Sequence, residues 1–236
     1  MYNQLCISVF ILSANLLFSA DRQIHCFVAL CDNKSQGIVP VSKTLGDGDS
    51  PRTNLYWGAM YGIKTWFKRS SAWKLEKTIK NPSKSILERI IFKHKNKDVW
   101  FTADAYRGSA IKQCTKDFFE AFSKTKSADL NIYIGHNGLM DFKLKTAELK
   151  PKKQIDAIIL ACKSKQYFGR YLKSLNASPL LLTTQFMAPE AYTLEAALSA
   201  WVYKLGNKQI HFQASAAYSK YQKCSLTASK RLFYTK

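Results

Sequence analysis

Five short apolar runs punctuate the sequence, and most of the segments between them carry apolar residues at helical spacing. The runs are residues 23–30 (QIHCFVAL), 98–103 (DVWFTA), 130–135 (LNIYIG), 157–161 (AIILA) and 179–184 (PLLLTT). Each is short, rich in β-branched, aromatic or leucine side chains, and bounded by polar or turn-forming residues, which reads as a strand. The run 157–161 has no polar face, as a central parallel strand covered on both sides requires. Helical spacing is read over 109–123, where Ile111, Cys114, Phe118, Phe119 and Phe122 form one stripe, and over 163–175, 190–205 and 209–233. It is read also over 54–69, with Asn54 as the cap, and over 86–94. Residues 32–52, punctuated by Gly and Pro, are a long loop. Strands alternating with helices give an α/β fold with a mainly parallel sheet, and right-handed crossovers place helices on both faces.

Residues 1–20 carry no charge, and their apolar stretch over 5–18 is shorter than the roughly 20 residues a membrane span needs. It reads as a secretory signal ahead of one α/β domain over 21–236. That implies export, periplasmic or secreted, and no transmembrane helix in the mature form. Lys plus Arg number 36 against 16 Asp plus Glu, a net charge of +20. Such an excess favours an anionic partner. For an exported chain this is a cell-envelope polymer; nucleic acid is not expected, although Trp66, Phe67, Trp73 and Phe92 interleave with the cations of 64–97. Beyond the leader lie Cys26, Cys31, Cys114, Cys162 and Cys224. An odd set leaves at least one thiol over, and the pairing of Cys26, Cys31, Cys114 and Cys224 is open. No metal is expected, because no Cys/His spacing suits zinc and Asp47 and Asp49 lack the rest of a calcium loop. No cofactor is expected either, since the glycines near 46–48 do not form a phosphate loop.

Ligands of open α/β sheets bind at the carboxyl ends of the strands. The third run ends in Gly135-His136-Asn137-Gly138, and the fourth runs into Cys162. A His and a Cys leaving adjacent strands at one edge form a base and a nucleophile: His136 takes the thiol proton while Cys162 attacks a carbonyl. The backbone N–H groups of Gly138 and Cys162 are the expected donors to the developing oxyanion.

These two segments, NIYIGHNG and AIILACKS, resemble the caspase–hemoglobinase fold of cysteine peptidases, with its hydrophobic–His-Gly and hydrophobic–Ala-Cys pattern. The resemblance implies a caspase-like fold, a catalytic pair with His136 as base and Cys162 as nucleophile, and a peptide or protein substrate. This chain has His-Asn-Gly in place of His-Gly, so the oxyanion donor is either Asn137 or Gly138. Asp104, or a backbone carbonyl near the second strand, is the expected partner orienting the imidazole. For the pocket beside the pair the sequence offers Asp32, Lys34 or Arg52 from the first loop, Lys163, and the loop 185–190 beginning at Gln185. The cations would favour an acidic residue there, and Asp32 a basic one. A cysteine endopeptidase or its degenerate relative is thus the leading expectation; a non-catalytic basic envelope protein is the alternative.

Overall fold

The computed structural model describes residues 21–124, 128–144, 149–151 and 153–235. The leader read over residues 1–20 lies outside them. Eight strands form one sheet: β1 (Arg22–Ala29), β2 (Trp73–Lys80), β3 (Ile86–His94), β4 (Val99–Tyr106), β5 (Leu130–Ile134), β6 (Asp156–Leu160), β7 (Ser178–Thr183) and β8 (Phe233–Tyr234). Their spatial order is β2-β3-β4-β1-β5-β6-β7-β8. The stretch from β4 to β7 is parallel, while β2, β3 and β8 join antiparallel at the two edges.

Six helices cover the sheet: α1 (Ile63–Arg69), α2 (Ile111–Glu120), α3 (Ser164–Ser174), α4 (Ala191–Val202), α5 (Asn207–Gln222) and α6 (Leu226–Leu232). Strand side chains alternate between faces, so β1 sends Ile24, Cys26 and Val28 into one core and Phe27 and Ala29 into the other. The first core is closed by α1, α4 and α5 through residues such as Phe67, Leu198 and Ile210. The second is closed by α2 and α3, where Phe118 packs its edge against Phe27, Tyr133 and Phe168. Each such aromatic, fully buried, stabilises the fold by about 1.5–3 kcal/mol. Coverage on both faces is why the run 157–161 could be wholly apolar.

Three readings of the sequence need correction. Residues 86–94 form the strand β3, not a helix. Burial there alternates at period two, with Ile90, Phe92 and His94 inside and Arg89, Ile91 and Lys93 half-exposed. It pairs with β2, a lysine-rich edge strand absent from the sequence reading, through a turn in which Asn81 takes the left-handed conformation (φ 47°). The helix over 54–69 is confined to Ile63–Arg69. Before it the chain folds over its own loop so tightly that a Cβ on Gly58 would lie 2.1 Å from the Arg52 carbonyl oxygen. Asn54 does not cap that helix; its buried side chain accepts from the Tyr56 N–H (3.2 Å) at the head of the preceding turn and ties the loop to Cys31, accepting from the Cys31 N–H (3.0 Å) and donating to the Cys31 carbonyl (2.8 Å). Residues 209–233 divide into α5, α6 and the start of β8, because Lys223 turns left-handed and Ser225 caps a new helix by accepting from the Ala228 N–H.

Phe67, Trp73 and Phe92 are buried in the first core. None of the five described cysteines is in a disulfide. No helix of the described residues is long and apolar enough to cross a membrane.

Candidate active site

At the carboxyl edge of the sheet, β5 and β6 are adjacent and parallel, with Ile134 opposite Leu160. Beyond β5, Gly135 adopts φ 139°, and a Cβ there would lie 2.7 Å from the Ala29 carbonyl oxygen. Only glycine passes this point without strain, and the turn it permits delivers His136 over the end of the sheet. The His136 carbonyl is fixed from below by the Tyr133 hydroxyl, which donates to it at 2.9 Å.

Asn137 ties the two strand ends together. Its buried side chain donates to the Cys162 carbonyl at 2.6 Å and accepts from the Leu139 N–H at 3.1 Å. The second bond caps a 3-10 turn, Gly138–Met140, that swings Asp141 back to the imidazole. His136 Nε2 then lies 2.7 Å from Asp141 Oδ2, with the ring buried and the carboxylate 39% exposed. Cys162 follows β6 and precedes Lys163, which is left-handed (φ 50°) and donates its N–H to the Gln185 carbonyl. Its sulfur accepts from the Met187 N–H at 3.4 Å, and its thiol donates to the Met187 carbonyl at 3.6 Å. The thiol is therefore seated on the loop after β7.

His136 and Cys162 line one cavity of about 320 Å³, together with Cys31, Tyr56 and apolar residues of three loops. Among the described residues no hydrogen bond joins ring and sulfur; both open onto this one cavity. Such bonds are often long in free enzymes and tighten when the substrate is bound. Burial pushes the Cys31 thiol up to about 11, with the Tyr56 hydroxyl beside it lowering it only in part.

The backbone donors correct one expectation. The Gly138 N–H donates to the His136 carbonyl at 3.0 Å and is not presented to the cavity. Among the described residues the N–H groups of Asn137 and Cys162 have no hydrogen-bond partner.

Other expected residues sit elsewhere. Asp104 is fully buried and held by Arg89 and His25; the strand order β4-β1-β5 puts a whole strand between it and His136. Asp32 is turned into its own loop, accepting from the Lys34 N–H (3.0 Å) and the Ser35 hydroxyl (2.5 Å). Arg52 and Gln185 are exposed and line no part of the cavity. Lys163 stands at the rim, its Nζ 4.6 Å above the Phe186 ring. The loop 185–190 does contribute, through Phe186, Met187 and Pro189. Asp141 and the Asn137 side chain went unrecognised in the sequence, where their spacing from His136 looks like ordinary turn chemistry.

A larger cavity, about 710 Å³, opens among α1, α4 and α5 and the ends of β2 and β3, lined by Trp66, Trp73, His94, Tyr192 and Tyr221 among others. It has no thiol, and its carboxylate, Glu195, is taken by the Trp66 indole N–H at 2.6 Å. Among the described residues no group of three or more His, Cys, Asp or Glu is arranged to hold a metal ion. Comparison of the chain with protein-family models, with curated proteins and with solved structures finds no significant match.

Proposed function

We propose that the chain is a caspase-like cysteine hydrolase of peptide bonds, with Cys162 as nucleophile and His136 as general base and acid. The observation that carries this reading is that His136 and Cys162 leave adjacent parallel strands and open onto the same cavity. In the first half-reaction the thiol proton passes to His136 and sulfur attacks the scissile carbonyl carbon. The carbonyl π pair moves to oxygen, where the N–H groups of Asn137 and Cys162 receive it. Collapse expels the amine, which takes the proton from His136 and leaves a thioester. Water, deprotonated by His136, then releases the acid and restores the thiol. Asp141 holds the imidazole in place. The uncharged, short N-terminal segment supports action outside the cytoplasm.

Incubation of the protein with a mixed peptide library, read by mass spectrometry, tests the proposal. New peptide ends are expected from the native chain and not from Cys162→Ala or His136→Ala. Cleavage that survives Cys162→Ala, or none from the native chain, overturns it.

A second property has its own support. The exposed lysines Lys74, Lys77, Lys80 and Lys84 lie along β2 and its turn, a cationic edge suited to an anionic envelope polymer. Binding to such a polymer is expected to weaken steeply with salt.

A further inference from the structure

The wall of the cavity beside Cys162 is apolar. The loop after β1 supplies Ile38 and Val41, the floor is Tyr56 and Cys31, and Met140 and Met187 close two sides. Apart from His136, the described lining residues include no acidic or basic side chain. Burial raises the Tyr56 hydroxyl well above its ordinary value and the Cys31 thiol to about 11, so the floor is neutral at physiological pH.

The rim is apolar as well, and open. Val39 is 88% exposed, Phe186 63% and Met140 37%, and these three border the same opening. Exposed large apolar side chains clustered around a concave site mark a place where something apolar binds. Of the charged groups that the sequence offered, Asp32 is turned into its own loop, Arg52 is exposed and lines no part of the cavity, and Lys163 stands at the rim over the Phe186 ring. A charged substrate side chain entering here would shed its water and find, besides the His136 imidazole already held by Asp141, no charged side chain in the lining, which costs several kcal/mol. An apolar one would lose only water it holds weakly.

We infer that this cavity is the subsite for a large apolar side chain, of phenylalanine or leucine type, on the residue whose carbonyl Cys162 attacks. Its volume, about 320 Å³, sits at the small end of ligand clefts, which run from about 300 to 1,000 Å³; it takes one side chain and the backbone beside it. The inference rests on the peptidase reading for which bond is cut, but the preference belongs to the cavity and is measurable without turnover.

The test uses the full chain carrying Cys162→Ser and a peptide series, acetyl-Ala-Ala-Ala-Xaa-Ala-Ala-amide, with Xaa Phe, Leu, Asp, Asn or Arg. Binding is followed by NMR on the methionine methyl groups. The Phe and Leu peptides are expected to bind at least about tenfold more tightly than the Asp and Arg peptides, and to shift the Met140 and Met187 signals. Val41→Asp is expected to reverse the order between Phe and Arg. Phe186→Asp, at the exposed rim, is expected to lower the Phe preference severalfold and serves where Val41→Asp fails to fold. Equal binding across the series, tighter binding of a charged or Asn peptide, no binding, or binding that leaves both methionines unshifted overturns the inference. Failure of the peptidase reading shows differently: Cys162 of the native chain would alkylate at a rate indifferent to His136, while the peptide series still decides the subsite.

Discussion

The described residues contain two His–Asp pairs at nearly equal distance, His25–Asp104 at 2.9 Å and His136–Asp141 at 2.7 Å, and their surroundings are opposite. In the first pair the acid is the buried partner. Asp104 accepts both Nε and Nη2 of Arg89, at 2.6 and 2.7 Å, in addition to His25. Burial alone would raise the Asp104 pKa, but the hydrogen bonds and charges of Arg89 and His25 outweigh it and hold the carboxyl below its ordinary value. The His25 ring lies 4.1 Å from Phe27, and Cys26 beside it points into the opposite core. In the second pair the imidazole is buried and the acid meets solvent, and the ring opens onto a cavity holding a thiol. The other neighbours of the two pairs differ: a saturated acid in the first, and in the second a ring that shares its cavity with the Cys162 thiol.

The comparison is broken most forcefully on turnover. His136→Ala is expected to lower peptide hydrolysis by about 10²–10⁴-fold, the range for a lost general base. His25→Ala should leave it unchanged in the folded fraction; kcat on a Phe-containing peptide measures both. On stability the ranking inverts. Asp104→Ala leaves the Arg89 guanidinium without its acid and is expected to cost about 3–5 kcal/mol, read by urea unfolding. Asp141→Ala, at a half-exposed carboxylate, should cost less than about 1 kcal/mol.

Asp141→Asn sharpens the catalytic half. It keeps the shape and loses the charge, and turnover should fall by about 10–100-fold, less than for a fully buried triad acid because solvent and the backbone still hold the ring. The loss is expected in kcat, with a shifted pH profile, which a purely structural role would not give. The smallest effect is in acid. Asp104 is held below its ordinary value; so is Glu88, where burial pulls upward but the hydrogen bonds of Lys64, Lys80 and the Trp57 indole prevail. Between folded and unfolded pKa values the unfolded chain binds more protons, so stability rises with pH across that window. The contribution is complete above the unfolded carboxyl values of about 4 and drains as pH falls below them. Asp104→Asn should flatten the acid limb of the unfolding midpoint against pH.

Much of this arrangement was legible in the residues. A run such as 157–161 reads as a central strand, and the structure places it beside β5, so that His136 and Cys162 follow neighbouring strands at one edge. Strand order was not legible, which is why Asp104 was the expected orienting acid. The hydrophobic pattern shows that β4 is a strand, not that β1 separates it from β5. The hairpin β2–β3 was hidden because lysine and arginine fill its outer positions and three isoleucines mimic a helical stripe. The acid that does reach His136 depends on a 3-10 turn capped from inside by Asn137, a tertiary fact with no periodic signature. For the pocket, charges near the loop ends drew the expectation, whereas Asp32 turns into its own loop and Ile38, Val41 and Phe186 line the cavity with the thiol.

The central claim is that Cys162 and His136 act on one another across the cavity. The rate of alkylation by iodoacetamide at pH 7, followed peptide by peptide in the native chain, His136→Ala and His25→Ala, tests it most directly. Cys162 should react fastest of the cavity and core thiols, since burial pushes Cys31 up to about 11 and raises Cys26 and Cys114 as well. His136→Ala should slow Cys162 by at least about tenfold while His25→Ala leaves it unchanged. A Cys162 rate that ignores His136, or that is no faster than the rate at Cys31, would contradict the account.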